Sequence, residues 1–298
     1  MVVLMGSRDE VWSVVKRVIE KADVVLEVVD ARDPMATRTR ELERLVERMG
    51  KKLIIVINKA DLVPHHVMEE WKRVLEREYP TIYVSARDRL GTRYLWRIVK
   101  RVSSARPVTV AVVGLPNVGK SMILNVLRGH HSASTSPAPG WTKNPLLAKA
   151  ATWLRVIDTP GVVPRGEEEE LTIRGALRPE SLEDPIPAAV KLIDLLKKKD
   201  PKVLLKQYGV DDEDPYAALE KIARRRNLLR KGGEPNVEEA ARIVLRDWQS
   251  GEIVAYFTPA DYGLSPSRTR IRETAAPGGG DSSLKAQSRA PSGDPARS

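Results

Sequence analysis

The stretch Asn58-Lys59-Ala60-Asp61 ends one apolar run, Leu53 to Ile57, and the loop Gly114-Leu115-Pro116-Asn117-Val118-Gly119-Lys120-Ser121 follows another, Val108 to Val113, more than fifty residues later. Short apolar runs bounded by turn signals read as buried strands, so both motifs sit at strand ends. The second fits G-x-x-x-x-G-K-[ST], and the pattern Met122 to Leu127 supplies the helix that such a loop opens. Glycines there let backbone N–H groups turn inward around phosphate oxygens. Lys120 can neutralise β- and γ-phosphates, and the Ser121 hydroxyl can ligate magnesium.

A carboxylate at Asp61 can accept two hydrogen bonds, from N1 and N2 of guanine. Adenine lacks that donor pair, so a polar site of this kind discriminates by ~10⁴ or more. A strand-end cap would explain the tetrapeptide alone equally well. The run Thr81 to Val84 leads into Ser85-Ala86-Arg87, which fits either a short loop whose backbone reads guanine O6 or a plain strand exit. Trp153 to Ile157 leads into Asp158-Thr159-Pro160-Gly161, a D-x-x-G pattern that places Asp158 near magnesium and the Gly161 N–H toward a γ-phosphate. Between lies Pro139-Gly140-Trp141-Thr142, where Thr142 either completes the magnesium shell or belongs to a structural turn. In the usual guanine-nucleotide fold the phosphate loop comes first and the base-reading motif last. The reverse order here indicates a circular permutation of that fold.

From about Ala22 to Gly161 the motif order resembles the circularly permuted GTPases of the YlqF/YawG type, which assist assembly of the large ribosomal subunit. Asp30-Ala31-Arg32-Asp33-Pro34 resembles that family's opening signature. Physically, Asp33 is expected to cap a helix with Pro34 in its first turn. The resemblance implies a nucleotide site of Asn58, Lys59, Asp61, Ser85, Ala86, Asn117, Val118, Gly119, Lys120, Ser121, Met122, Thr142, Asp158 and Gly161. Magnesium would be held by Ser121, Thr142 and Asp158, and the catalytic groups would be Lys120, Thr142 and Gly161. Val162 stands where Ras-like enzymes have a water-orienting glutamine, so hydrolysis alone is expected to be slow, near ~10⁻⁴ s⁻¹. Asn117 resembles a residue that lets related enzymes hold potassium; it can equally be a loop-stabilising side chain. His130 and His131 are read as solvated, as are Arg174 and Arg178, which could otherwise swing toward phosphate.

The expected fold class is α/β, a circularly permuted P-loop GTPase domain with a mostly parallel sheet and helices on both faces, over residues 1–178. A small all-α domain is expected over 179–262, with helices at Ile186 to Lys199, Pro215 to Arg225 and Val237 to Gln249. Asn236 caps the last of these, with Glu239 at the capping-box position, and Trp248 is read as core. The Ser-, Pro-, Gly- and Arg-rich stretch 263–298 is expected to be a disordered basic tail. With 298 residues and net charge +10, the chain suits a polyanionic partner, and 5% aromatics favour backbone contacts over base stacking. The resemblance implies a large-subunit precursor and its rRNA as partners of the helical domain, through Lys197 to Lys199, Arg224 to Arg226 and Arg230-Lys231. No DNA or membrane partner is expected, and the protein is read as monomeric. Absent cysteine and the lack of a long apolar run point to a cytoplasmic protein. The competing reading is a non-catalytic RNA-binding or scaffold protein with GTP or GDP as a structural ligand.

Overall fold

The computed structural model describes residues 8–129 and 147–266, all within one compact unit. Helix α1 (Arg8–Lys21) leads into strand β1 (Val24–Asp30), followed by α2 (Pro34–Thr37), α3 (Arg40–Arg48), β2 (Lys52–Asn58), α4 (His65–Leu75), β3 (Thr81–Tyr83), α5 (Arg93–Val102) and β4 (Val108–Val113). Then come α6 (Lys120–Arg128), β5 (Leu147–Ala151), β6 (Leu154–Asp158), α7 (Glu168–Ile173), α8 (Ile186–Lys199), α9 (Val203–Tyr208), α10 (Pro215–Arg225) and α11 (Val237–Ser250). Single 3₁₀ turns cover Ala60–Leu62, Pro179–Ser181 and Pro259–Tyr262.

The six strands form one sheet in the order β3-β2-β1-β4-β6-β5. Five are parallel, and β5 closes the edge antiparallel to β6. Side chains alternate across the pleat. Val24, Leu26, Val28, Val110 and Val112 pack against Leu95 and Ile98 of α5 and Ile123 and Leu127 of α6. Val25, Ala111 and Val113 face the other way, onto Val15 and Ile19 of α1 and Leu42 and Val46 of α3. Helices α8, α10 and α11 close round a separate apolar cluster that includes Leu192, Ile193, Leu219, Ile222, Val244 and Leu245. The expected α/β sheet covered on both faces, followed by helices, is therefore the fold observed.

Register sets up the site. Asp30 lies level with Asn58, and Val112 lies level with Asp158, so these strands end at one edge. Carboxyl ends of parallel strands are where open α/β sheets bind ligands. Asp33 caps α2 by accepting from the Ala36 N–H at 2.9 Å, with Pro34 as the first helical residue. Asn236 caps α11 by accepting from the Glu239 N–H at 3.2 Å. Helix α4 stops at Leu75, and a turn follows it before Pro80. Two short helices, α7 and α9, lack the length that makes periodicity readable in a sequence. The assignments at Thr142, His130, His131 and the tail from 267 lie outside the described residues.

One interior position of β1 departs from an apolar strand. Glu27 is fully buried, with Oε1 accepting from the Thr39 N–H at 2.7 Å. Burial, reinforced by the neighbouring Glu43 carboxylate, holds its pKa well above the usual carboxylate range. A group whose folded pKa is raised contributes stability below its unfolded value and loses it as pH rises through the folded value. Glu27→Gln, which fixes a neutral side chain of the same shape, should therefore gain in melting temperature relative to wild type between pH 5 and pH 9. A pH-independent difference in melting temperature between the two proteins would refute this assignment.

Candidate nucleotide site

Asn58, the last residue of β2, bridges the two motif loops with one carboxamide. Its Nδ2 donates to the Val118 carbonyl of the phosphate loop at 2.9 Å, and its Oδ1 accepts from the Ala86 N–H at 3.1 Å. The side chain is 2% exposed. Gly119 is required opposite it: a Cβ there, at a φ of 95°, would meet Asn58 Nδ2 at 2.1 Å. Gly114 has a similar constraint, since a Cβ would lie 2.4 Å from the Val28 carbonyl oxygen. The glycines thus let the loop close onto the sheet as well as curl round a ligand.

Asp61 follows in the 3₁₀ turn after β2. Its Oδ2 accepts from Arg87 Nη2 at 2.5 Å, whereas its Oδ1 is buried without any partner. Leaving such an oxygen unsatisfied costs about 1–3 kcal/mol, which a ligand N–H would recover. Guanine presents suitable donors to a carboxylate so placed. Ser85 is fully buried, and its Oγ accepts from the Asp88 N–H at 3.1 Å, shaping the loop that presents Ala86. Lys59, with a left-handed φ of 65°, pairs with Asp30 at 2.8 Å. Burial pushes the Lys59 pKa down against that pairing. Burial also acts to raise Asp30, but the Arg32 and Lys59 cations outweigh it and hold Asp30 well below the usual carboxylate range.

Lys120 opens α6. With its ammonium donating to the Leu115 carbonyl at 2.7 Å, burial lowers its pKa to about 8, only partly opposed by the Asp158 charge. Ser121 is exposed in the first turn of α6, and Asp158 ends β6, its pKa raised by burial against the opposing charge of Lys120. These two residues could supply one hydroxyl and one carboxylate to magnesium, which ordinarily keeps phosphate and water ligands as well. The Met122 side chain packs on the core, and its N–H donates to the Gly119 carbonyl at 3.1 Å. Gly161 abuts the phosphate loop, since a Cβ there would lie 2.8 Å from Pro116 Cγ. Val162 is fully buried in the cluster with α1, so no side chain at that position faces a phosphate.

One residue behaves otherwise than its sequence suggests. Arg174 is neither a solvated helix residue nor aimed at phosphate. It is half-buried, with Nε donating to the Ala36 carbonyl at 2.5 Å and Nη2 to that of Arg38 at 3.1 Å. Trp248 is core, as expected, and also a junction: its Nε1 donates to Ile173 O at 2.8 Å, and the Arg32 guanidinium lies 4.2 Å over its ring. Gln249 was not singled out by any motif, yet its Oε1 accepts from Asn117 Nδ2 at 3.2 Å. A cavity of about 750 Å³ adjoins the loop here, lined by Asp30, Lys59, Asn117, Arg174 and Gln249 among others.

Two family profiles divide the chain in the same sense. "Elongation factor Tu GTP binding domain" matches residues 12–105, the half with Asn58 and Asp61. "50S ribosome-binding GTPase" matches residues 109–222, which begin at the phosphate-loop strand. YlqF from T. maritima, solved in a GNP-bound form, superposes with a TM-score of 0.60 at 25% identity, covering 82% of this chain and 96% of that one. The chain belongs to the circularly permuted GTPases of the YlqF type. An uncharacterized GTP-binding protein of Methanocaldococcus jannaschii is 40% identical over 83% of the chain. Nucleolar GTP-binding protein 2 of Neurospora crassa is 37% identical over 86%. The chain spans 66% of the former and 42% of the latter.

Phosphate binding should recharge Lys120. GDP binding between pH 8 and pH 9 is expected to take up as much as about one proton, read by calorimetry in buffers of different ionisation heat. Lys120→Met should abolish the uptake, and its persistence in that variant would discard the assignment. Asp61→Asn keeps the shape but removes the charged acceptor; GDP binding should weaken by about 10²- to 10⁴-fold. Fluorescence titration with labelled GDP and ADP reads this, and unchanged preference for GDP would count against Asp61 as the base reader.

Proposed function

We propose that this chain hydrolyses GTP to GDP and phosphate and acts as a nucleotide-controlled switch in large ribosomal subunit assembly. The observation that carries the guanine reading is the buried, partnerless Asp61 Oδ1 beside a phosphate loop to which Asn58 ties the base-side loop. The names of similar proteins, a 50S ribosome-binding GTPase profile and nucleolar GTP-binding proteins, supply the ribosomal part. We assign the base to Asn58, Lys59, Asp61, Ser85 and Ala86, and the phosphates to residues 117–122. Thr142 and Gly161 complete the γ-phosphate site, with Lys120, Thr142 and Gly161 as the groups that stabilise charge on the transferred phosphoryl. Magnesium, where bound to Ser121, Thr142 and Asp158, neutralises phosphate charge. Because its N–H goes to Gln249, Asn117 retains its Oδ1 as a ligand for potassium.

The domain limits 1–178, 179–262 and 263–298 remain part of this proposal, with the second span as the rRNA-contacting module. Much of its expected basic surface is engaged internally. Lys197 donates to the Asp212 and Glu213 carbonyls, Lys199 pairs with Asp261, Arg226 with Asp247 and Arg230 with Glu238. Lys198, Arg224 and Lys231 are exposed and have no acidic partner among the described residues, so these are the cations we assign to RNA phosphates. Among the described residues no helix is long and apolar enough to cross a membrane. We place the protein in the cytoplasm, as a monomer.

The burial of Val162 favours a second reading, a GTP- or GDP-liganded binder without turnover. Steady-state hydrolysis separates the two. GTP turnover is expected to be slow alone, faster in potassium than in sodium, and stimulated about 10²-fold or more by large but not small ribosomal subunits, within the range a supplied transition-state charge can give. Tight GTP binding with no stimulation by either subunit would support the non-catalytic reading. Equal rates in the two salts would remove potassium from the mechanism.

A further inference from the structure

We propose that Gln249, in the last turn of α11, is a positioning residue through which the helical part senses the state of the phosphate loop. This rests on the reading that the loop binds nucleotide. The Gln249 side chain is 9% exposed and joins three separate segments. Its Oε1 accepts from Asn117 Nδ2 at 3.2 Å, while Nε2 donates to the Thr172 carbonyl at 2.7 Å and the Leu177 carbonyl at 2.9 Å. Both Nε2 hydrogens and the oxygen are thereby engaged. The carboxamide keeps all three bonds only while Asn117, the segment 172–177 and α11 hold one relative position.

The neighbouring contacts converge on the same turn. The Trp248 carbonyl accepts from Arg32 Nη1, and Trp248 Nε1 donates to Ile173 O. Arg32 is clamped to Asp30 through both Nε and Nη2, and Asp30 also holds Lys59 of the base-reading motif. Farther on, a Cβ at Gly251 would lie 3.1 Å from Leu62 Cδ1, directly after Asp61 in the chain. Asp30, Arg32 and Trp248 are fixed by charged pairs and stacking. The Asn117–Gln249 bond is neutral, and Asn117 is exposed with a left-handed φ of 61°. It is the contact in this set that a ligand in the loop can alter most directly, because Asn117 belongs to the loop itself. A displaced Asn117 leaves Gln249 with an unpaired buried oxygen, so the two positions are energetically linked.

Amide hydrogen exchange of the whole chain, nucleotide-free and saturated with GDP, tests this. In wild type, saturation should change exchange in residues 237–250 by about tenfold, a modest coupling between distinct sites. In Gln249→Ala and in Asn117→Ala, each at verified GDP saturation, the change should fall below about twofold. Gln249→Glu keeps an acceptor for Asn117 but loses the donors to Thr172 and Leu177, and should give a reduced change. If Gln249→Ala unfolds α11, Asn117→Ala decides, since it changes no residue of the helix. An undiminished change in Asn117→Ala overturns the proposal, as does GDP saturation of wild type with no change in α11. Failure of wild type to bind GDP at all overturns the nucleotide-site reading, and this proposal with it.

Discussion

The Asn58 carboxamide is the interaction on which the geometry of the site depends. Separate stretches of chain, ending β2 and following β4, must meet to within one ligand of each other. Two hydrogen bonds from a 2% exposed side chain fix that distance. Each is worth only about 1 kcal/mol net, but losing Asn58 would leave the Ala86 N–H without this acceptor in a buried setting. Parallel pairing of β1 with both β2 and β4 sets the coarse separation, and Asn58 sets the fine one. Gly119 follows from Asn58, since any side chain at 119 would occupy the space of the carboxamide.

A charged socket extends this arrangement toward the helices. Asp30, level with Asn58 in the sheet, is flanked by Arg32 and Lys59. Isolated, either cation would be costly at such burial; together with the carboxylate they form a network whose hydrogen bonds offset desolvation. Arg32 then uses its remaining Nη1 and its π face on Trp248. The segment resembling the family's opening signature thus has a dual structural use: Asp33 caps α2, and Arg32 anchors α11. Tyr262 closes the same region by donating to the Asp33 carboxylate at 2.7 Å, and burial raises that carboxyl to about 6.

Motif spacing made the site legible because phosphate loops and base-reading turns need particular residues at fixed local offsets. Asp61, Lys120 and Asp158 are candidates by such local rules, and apolar runs mark β2 and β4. What stayed hidden depends on contacts far apart in sequence. Gln249 meets Asn117 across 132 positions, and nothing near Gln249 in sequence distinguishes it from an ordinary last-turn residue. Glu27 carries no local mark of its burial, since its environment of Thr39 and Glu43 exists only after α3 packs on β1. Arg174 has no local sign of burial because its acceptors, the Ala36 and Arg38 carbonyls at the C-terminal end of a four-residue helix, lie 136 or more positions away.

Permutation changes what the segment after Gly161 can do. In this chain β6 runs through Asp158 and Gly161 into α7, and α7 runs on toward α8. Leu171 of α7 belongs to the core under α5 and α6, while Ile173 packs on the core of the helical part. The same short helix therefore touches both cores and is bonded from α11 by Trp248 and Gln249. A shift of the segment past Gly161 would strain packing on one side or the other, and close-packed interiors favour discrete rearrangement over gradual deformation. Val162 limits where such a shift can begin. Fully buried against α1 and with its N–H donating to the Gly114 carbonyl at 3.0 Å, it pins the start of the segment to the phosphate loop. The position that would carry a water-orienting side chain in a Ras-like enzyme is thus given over to holding the sheet together, which leaves movement to the residues beyond it.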